Sequence, residues 1–306
     1  MRDRLLVAAQ PLFVLMWSSA FIAGTIGVGA APPLALLFGR FAIAGVLLVL
    51  YAAAVRAEWP RGAELGHVAV AGLLVQVVQF GAFYTAMSHH VSAAVIALVQ
   101  GLNPVVIALC AGLLGETVTT RQWFGFGIGG VGVALAVLDR SDFAVYGVIL
   151  CVVGLLGLSL GTVYQKRCAP EVDSRAATAI HVVVSAPVAG LLACGAGQLH
   201  VWDTGRYAAT LTWMVLINAG AAFLLLNAML RRWDATRVGR LFFATPAVTA
   251  LLAWLVVDQP LHPLTVAGLA VGLLGLVLAG RRPEPASDPV DVAESARVEQ
   301  DSGAVR

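Results

Sequence analysis

Charge is the first thing this sequence lacks. Only 12% of its 306 residues are charged while 59% are hydrophobic, and the mean hydropathy is +0.88. Soluble domains carry about a quarter charged residues, so the composition places the chain in a lipid bilayer, and nucleic acid is not an expected partner. Paired cysteine spacing is absent too. Cys110, Cys151, Cys168 and Cys194 stand alone, without CxxC or Cys/His neighbours, which argues against a zinc site or a disulfide framework and fits small packing residues. H-E-x-x-H, the Walker lysine motif and the dinucleotide fingerprint are all missing. No metal or other cofactor is therefore expected, and ATP-driven transport by this chain alone is unsupported. Acids near the middle of an apolar run are missing as well, so there is no obvious proton-coupling carboxylate.

What the sequence has is long apolar runs. A helix crossing a bilayer needs about 20 mostly apolar residues. Such runs lie at 5–28, 33–55, 66–87, 91–115, 123–138, 144–164, 176–196, 208–230, 236–257 and 263–279. The expected fold is an all-α integral membrane protein with ten transmembrane helices, joined by short segments rich in turn residues. Residues 1–24 have the basic start and apolar core of a signal peptide, but the run is too long and many follow it. An uncleaved first helix is expected instead. After Arg282 the chain turns Pro-rich and acidic, which reads as a disordered cytoplasmic tail over 283–306.

One stretch occurs twice. Residues 84–116 recur about 142 positions later at 226–258. Ala86 and Met87 fall on Ala228 and Met229, Ala93 on Ala235, Pro104 on Pro246, and Glu116 on Asp258. Val106, Ala108, Leu109, Ala111 and Leu113 match Val248, Ala250, Leu251, Ala253 and Leu255. After one inserted residue, Gly125, Gly129 and Gly132 fall on Gly268, Gly272 and Gly275. The chain thus divides into a five-helix repeat over 1–140 and a second over 141–282. Arg and Lys gather at cytoplasmic helix ends. With the N-terminus inside, Arg2, Arg4, Arg56, Arg61, Arg121, Lys166, Arg167, Arg175, Arg231, Arg232, Arg237, Arg281 and Arg282 are cytoplasmic, and only Arg140 and Arg206 fall outside. Both termini are then cytoplasmic. Five is odd, so the second repeat enters from the opposite side, the inverted pattern that supports alternating access around a midplane site.

Each half carries a P-x(11)-[ED] run followed by a glycine-rich helix. With Trp17-Ser18-Ser19-Ala20-Phe21 in the first helix and Arg40-Phe41 in the second, this pattern resembles the EamA family of the drug/metabolite transporter superfamily. The resemblance spans 5–282. It implies a ten-helix inner-membrane carrier, often exporting amino acids or other small metabolites, with a central cavity between the halves. The second half departs from the family pattern at Asp258-Gln259-Pro260, where Gly-Glu is usual, and at His262-Pro263, yet it keeps the acid and the glycines. The expected function is secondary transport of a small organic metabolite, such as an amino acid or derivative, in the export direction. Its partners would be that solute and the lipid bilayer. The alternative is a non-transporting sensor or scaffold with a transporter-like fold.

Candidate site residues are the polar and aromatic side chains inside the apolar runs. Arg40 lies about seven residues into its helix, roughly 10 Å along the axis. It either snorkels or bonds carbonyls, or it holds an anionic group of a solute; Arg240 poses the same choice. Gln76, Gln79 and Phe83 share one helical face. Gln100, Asn103, Asn218 and Asn227 add amides, and Trp17, Ser18, Tyr84, Tyr164, His181 and Phe243 complete a lining between the third, fourth, eighth and ninth helices. Amides mixed with aromatic surface suit a small zwitterionic or amphipathic solute, while interhelical bonding is the plainer role for any one of them. His181 is the candidate coupling residue that titrates near neutrality. Pro104 and Pro246 read as mid-helix residues, each a hinge or a static kink. The glycine ladders read as packing inside each half or as a homodimer interface. Glu116 and Asp258 read as helix-end groups. Gly157-Leu158-Ser159-Leu160-Gly161 matches a nucleophile elbow by letter only, because it falls inside a helix, so no catalytic residue is expected.

Overall fold

The computed structural model describes residues 2–113, 119–138, 145–233 and 235–280, and every regular element among them is helical. In the first half α1 is Arg2–Val28, α2 is Pro33–Ala54, α3 is Ala63–Ser88, α4 joins Ala93–Gly101 to Asn103–Leu113, and α5 is Thr120–Leu138. The second half supplies α6 (Val145–Cys168), α7 (Ser174–Gly195), α8 (Thr204–Leu230), α9 (residues 235–257) and α10 (Pro263–Gly280). Among the described residues eight of these, all but α5 and α10, are long and apolar enough to cross a membrane. Glu116, Arg140 and the tail 283–306 lie outside the described residues.

Apolar side chains cover these helices on both sides. Leu191 and Leu274 are 74% and 62% exposed, which water would penalise and lipid does not. Inside, small residues set which helices touch. A Cβ on Gly132 would stand 2.3 Å from the Gly272 nitrogen, and one on Gly275 would stand 2.3 Å from the Gly129 nitrogen. The two ladders therefore pack α5 against α10. This corrects the expectation of packing inside each half, and the glycine faces turn toward each other rather than to a second copy. The ladder announces a close backbone approach, but not which helix approaches. Gly157 and Gly161 do the same for α6 on α3, where added Cβ atoms would lie 2.9 Å from the Leu74 carbonyl and 3.2 Å from the Ala71 carbonyl. The G-x-S-x-G letters are thus a packing face.

Four helices are irregular. α3 and α8 carry π-helical stretches at Leu73–Val78 and Met214–Ala222. α4 turns at Leu102, and α9 passes through a 3-10 segment at Arg240–Ala244. The two repeat prolines sit just after these breaks, as the second residues of Asn103–Leu113 and Thr245–Val257. They stand midway along α4 and α9, as their surroundings suggested, each in the first turn of the segment that follows the break. A proline in the first turn costs no ladder bond, because the N–H it lacks would have had no partner there. The prolines inside helices are Pro11 and Pro187. Asp258 ends α9 in the left-handed region (φ 51°), in keeping with a helix-end role.

Candidate functional site

Periodicity on α3 begins the site. Phe80, Phe83, Tyr84 and Met87 fall at i, i+3, i+4 and i+7, on one face. They face Trp17, Ala20 and Phe21 of α1, Arg40 of α2, Gln100 of α4, and Asn218 and Ala219 of α8, around a cavity of about 110 Å³. The ninth helix supplies none of these walls, so the cavity lies among α1, α2, α3, α4 and α8. Midway along α1 and in the 3-10 segment of α9, Phe13, Trp17 and Phe242 stack instead. Phe242 meets Phe13 at 5.5 Å and Trp17 at 5.0 Å, both edge-to-face.

Arg40 neither snorkels nor bonds a carbonyl; it is held inside the bundle by aromatic partners. Its guanidinium donates to the Tyr84 hydroxyl and lies 4.1 Å from the centroid of the Phe80 ring. Tyr84 in turn reaches the Met214 sulfur at 3.7 Å. The ion pairs found among the described residues do not include Arg40. A lone guanidinium at membrane depth costs about 2.5–3.5 kcal/mol on insertion scales. Stacking on Phe80 offsets about 0.5–2 kcal/mol of that. The fork has five donors and uses one on Tyr84, so the cavity keeps positive potential and unspent N–H groups.

On the opposite wall Asn218 supplies the reverse chemistry. Its Nδ2 donates to the Met16 carbonyl at 2.6 Å and to Ser19 Oγ at 3.2 Å, and Trp213 Nε1 holds the same Ser19 oxygen at 2.9 Å. These bonds fix the amide and leave Oδ1 buried without a partner. A bare acceptor in a buried place costs about 1–3 kcal/mol unless something donates to it. The two side chains share one cavity lining, Arg40 with donors to spare and Asn218 with a buried acceptor that nothing answers.

The other expected residues divide. Gln79 is buried and donates to Gln100 at 3.0 Å, bracing the amide that lines the cavity. Ser18 donates to the Thr245 carbonyl at 3.4 Å beside Pro246, and Asn103 accepts from Ser159 at 2.8 Å, so both hold helices together. Asn227 bonds back to the Phe223 carbonyl at 2.8 Å within its own helix. Gln76 lies in the π-helical stretch of α3, half-buried, and Phe243 packs on the main core. Tyr164 meets His67 at 2.8 Å. His181 is buried against Gly72, where an added Cβ would come within 2.6 Å of its Cα. All eight of these lie outside the cavity lining itself, and His181 is displaced because α7 turns that face to α3. Phe80, Met87 and Ala219, with Ala20 and Phe21, belong to the lining and were not among the candidate site residues. The α3 period could have found the first two; Ala219 carried no signal.

Comparison with known proteins gives this geometry a family. The model of the EamA-like transporter family matches twice, over residues 8–138 and 145–281. An uncharacterized transporter of Bacillus subtilis is 23% identical over 92% of this chain and 92% of its own. A probable terminal-alkyne amino-acid exporter of Streptantibioticus cattleyicolor is 26% identical, over 90% of this chain and 93% of its own. A probable amino-acid metabolite efflux pump of Salmonella typhimurium is 23% identical over 87% and 92%. One solved crystal structure shares the fold with a TM-score of 0.63 at 21% identity, covering 90% of this chain and 96% of that one. Matched in both halves, this chain belongs to the EamA-like transporter family and is a multi-pass membrane protein, a transporter and not an enzyme.

Proposed function

We propose that this chain is a secondary carrier of the cytoplasmic membrane that exports an amino acid or a derivative of one by alternating access. The observation that carries this reading is the pairing, in one cavity, of the unspent donors of Arg40 with the bare Oδ1 of Asn218. A carboxylate fits the first and an ammonium group the second, with Phe80, Phe83 and Trp17 as apolar walls. The printed names of two relatives, an amino-acid exporter and an amino-acid metabolite efflux pump, agree in substrate class and direction.

The moving parts would be two inverted halves, 1–140 and 141–282, with both termini cytoplasmic. Support comes from irregularities that fall in register. Moving Leu73–Val78 forward by about 142 residues lands inside Met214–Ala222, and the turn at Leu102 lands on the last residue of Arg240–Ala244. The helix pairs α2–α7, α4–α9 and α5–α10 each join a helix to its counterpart. The breaks before Pro104 and Pro246 would then be the hinges, since a turn between two helical segments absorbs rotation at little cost. The Phe13–Trp17–Phe242 stack would close the N-terminal side and part when α1 leaves α9.

Counterflow of labelled amino acids in proteoliposomes tests this without assuming a coupling ion. Exchange that is abolished by Arg40→Ala, in protein of unchanged melting temperature, supports both the carrier and its site. Exchange that survives the substitution rejects the site, and no exchange across a broad panel moves the non-transporting scaffold ahead.

A further inference from the structure

A second cavity lies beside the first. It measures about 180 Å³, lies between α2 and the π-helical part of α8, and is almost wholly apolar. Ala44, Leu47 and Tyr51 form its α2 side, and Val215, Gly220 and Phe223 lie on its α8 side. Ala219 belongs to both cavities, so the polar chamber and the apolar trough share a wall residue. Helical geometry aligns the rest. Arg40, Ala44, Leu47 and Tyr51 stand at i, i+4, i+7 and i+11, on one face of α2. The trough therefore begins one turn beyond Arg40 and runs for roughly 10 Å along the helix, from Ala44 to Tyr51. The π-helical stretch of α8 opposite it brings one extra residue per turn to this wall, including Gly220, whose added Cβ would meet only the Val215 carbonyl at 3.4 Å.

From this adjacency we infer that the transported solute carries an unbranched apolar chain which lies in the α2–α8 trough while its charged head sits between Arg40 and Asn218. The inference rests on the carrier reading and narrows it, from amino acids in general to those with long aliphatic side chains. Charge complementarity selects this occupant over a membrane lipid tail. A headgroup at Arg40 would have to satisfy the Asn218 acceptor as well, which an ammonium one carbon from a carboxylate does and a headgroup without a donor does not; a donor-bearing phospholipid would bring two long chains to one trough of about 180 Å³. The trough is open laterally, with Leu47 and Leu216 44% and 56% exposed, so chain length is limited less strictly than head chemistry.

The test is calorimetric binding of a straight-chain series, from 2-aminobutanoate through norleucine and 2-aminooctanoate to 2-aminodecanoate, to the purified full chain in detergent. Each buried methylene is worth about a fourfold change in affinity. The expected result is affinity that climbs about fourfold per methylene in the wild type. The ratio of longest to shortest should collapse toward one in Gly220→Leu, which fills the trough. If Gly220→Leu does not fold, Leu47→Ala is read instead, and its slope should fall by about half. A slope identical in wild type and variant is partition into detergent, and it overturns the trough while leaving the head site standing. So does a flat series in which the short members bind and Arg40→Ala abolishes them. Binding of the whole series that ignores Arg40→Ala, or no binding at all, overturns the head site and the trough together.

Discussion

The two halves of this chain share a scaffold and not a lining. Positions 79, 84 and 100 bear Gln79, Tyr84 and Gln100, and about 142 residues later stand Ala221, Leu226 and Phe242. At these positions the first half carries hydrogen-bonding groups, and the second is aliphatic or aromatic. Phe242 shows the consequence, since it stacks on Phe13 and Trp17 while Gln100 lines the cavity. What the halves keep in common is geometric: the prolines after a helix break, the π-helical stretches and the glycine ladder. Packing constrains both copies alike where α2, α4 and α5 meet their counterparts α7, α9 and α10. Recognition constrains only the copy that touches the solute. The exception is the amide pair Gln76 and Asn218 at the same register, of which only Asn218 lines the cavity.

This contrast can be broken first at its shared part. Gly132→Val and Gly268→Val should be equally damaging, because each drives a side chain into backbone of the other half. Both should cost at or beyond the upper end of about 1–3 kcal/mol for overpacking and yield little monodisperse protein by size-exclusion chromatography. If one ladder tolerates valine, the α5–α10 contact is not as close as described.

The lining should respond asymmetrically. Arg40→Ala removes charged hydrogen bonds of about 1.5–3 kcal/mol, so solute affinity should drop by roughly ten- to 150-fold. Leu226→Ala, at the register of Tyr84, should leave affinity within about twofold while lowering the melting temperature by a few degrees. Equal losses in both would erase the distinction between the halves. A smaller effect belongs to the Gln79–Gln100 bond. A double-mutant cycle in alanine should return a coupling near 0.6 kcal/mol, the usual size for a membrane hydrogen bond, read from thermal unfolding.

The smallest effect contrasts two helix starts. α7 is capped by Asp173, which accepts from the Arg175 N–H at 2.8 Å, whereas α2 begins after Pro32 with no side-chain cap. The Arg175 guanidinium, hydrogen-bonded to the Asp173 carboxylate, holds it down to about 2 from an ordinary 3.8. A depressed acid stabilises the fold fully above its unfolded pKa and loses that contribution as pH falls through the folded one. The difference in melting temperature between wild type and Asp173→Asn should therefore be small at neutral pH, shrink below about pH 4 and vanish near pH 2. A difference that persists at pH 2 would mean that the cap works without its charge.

By itself the sequence determined the membrane class, the helix runs and the repeat, because each is written in composition or in spacing along the chain. Twelve per cent charge cannot coat a soluble surface, and a recurring proline, acid and glycine ladder survives as letters. Helix ends were also legible, as at Asp258. The tertiary structure decided everything that depends on which face meets which. It sent His181 against Gly72 instead of the cavity, stacked Arg40 on Phe80 instead of leaving it at the surface, and joined the glycine ladders across the halves. It also admitted Ala219, a residue without chemistry, to two cavities at once. The physical reason is rotation. Periodicity fixes which residues share a helical face, but the direction of that face is set only by neighbouring helices, whose order in space the linear pattern does not contain.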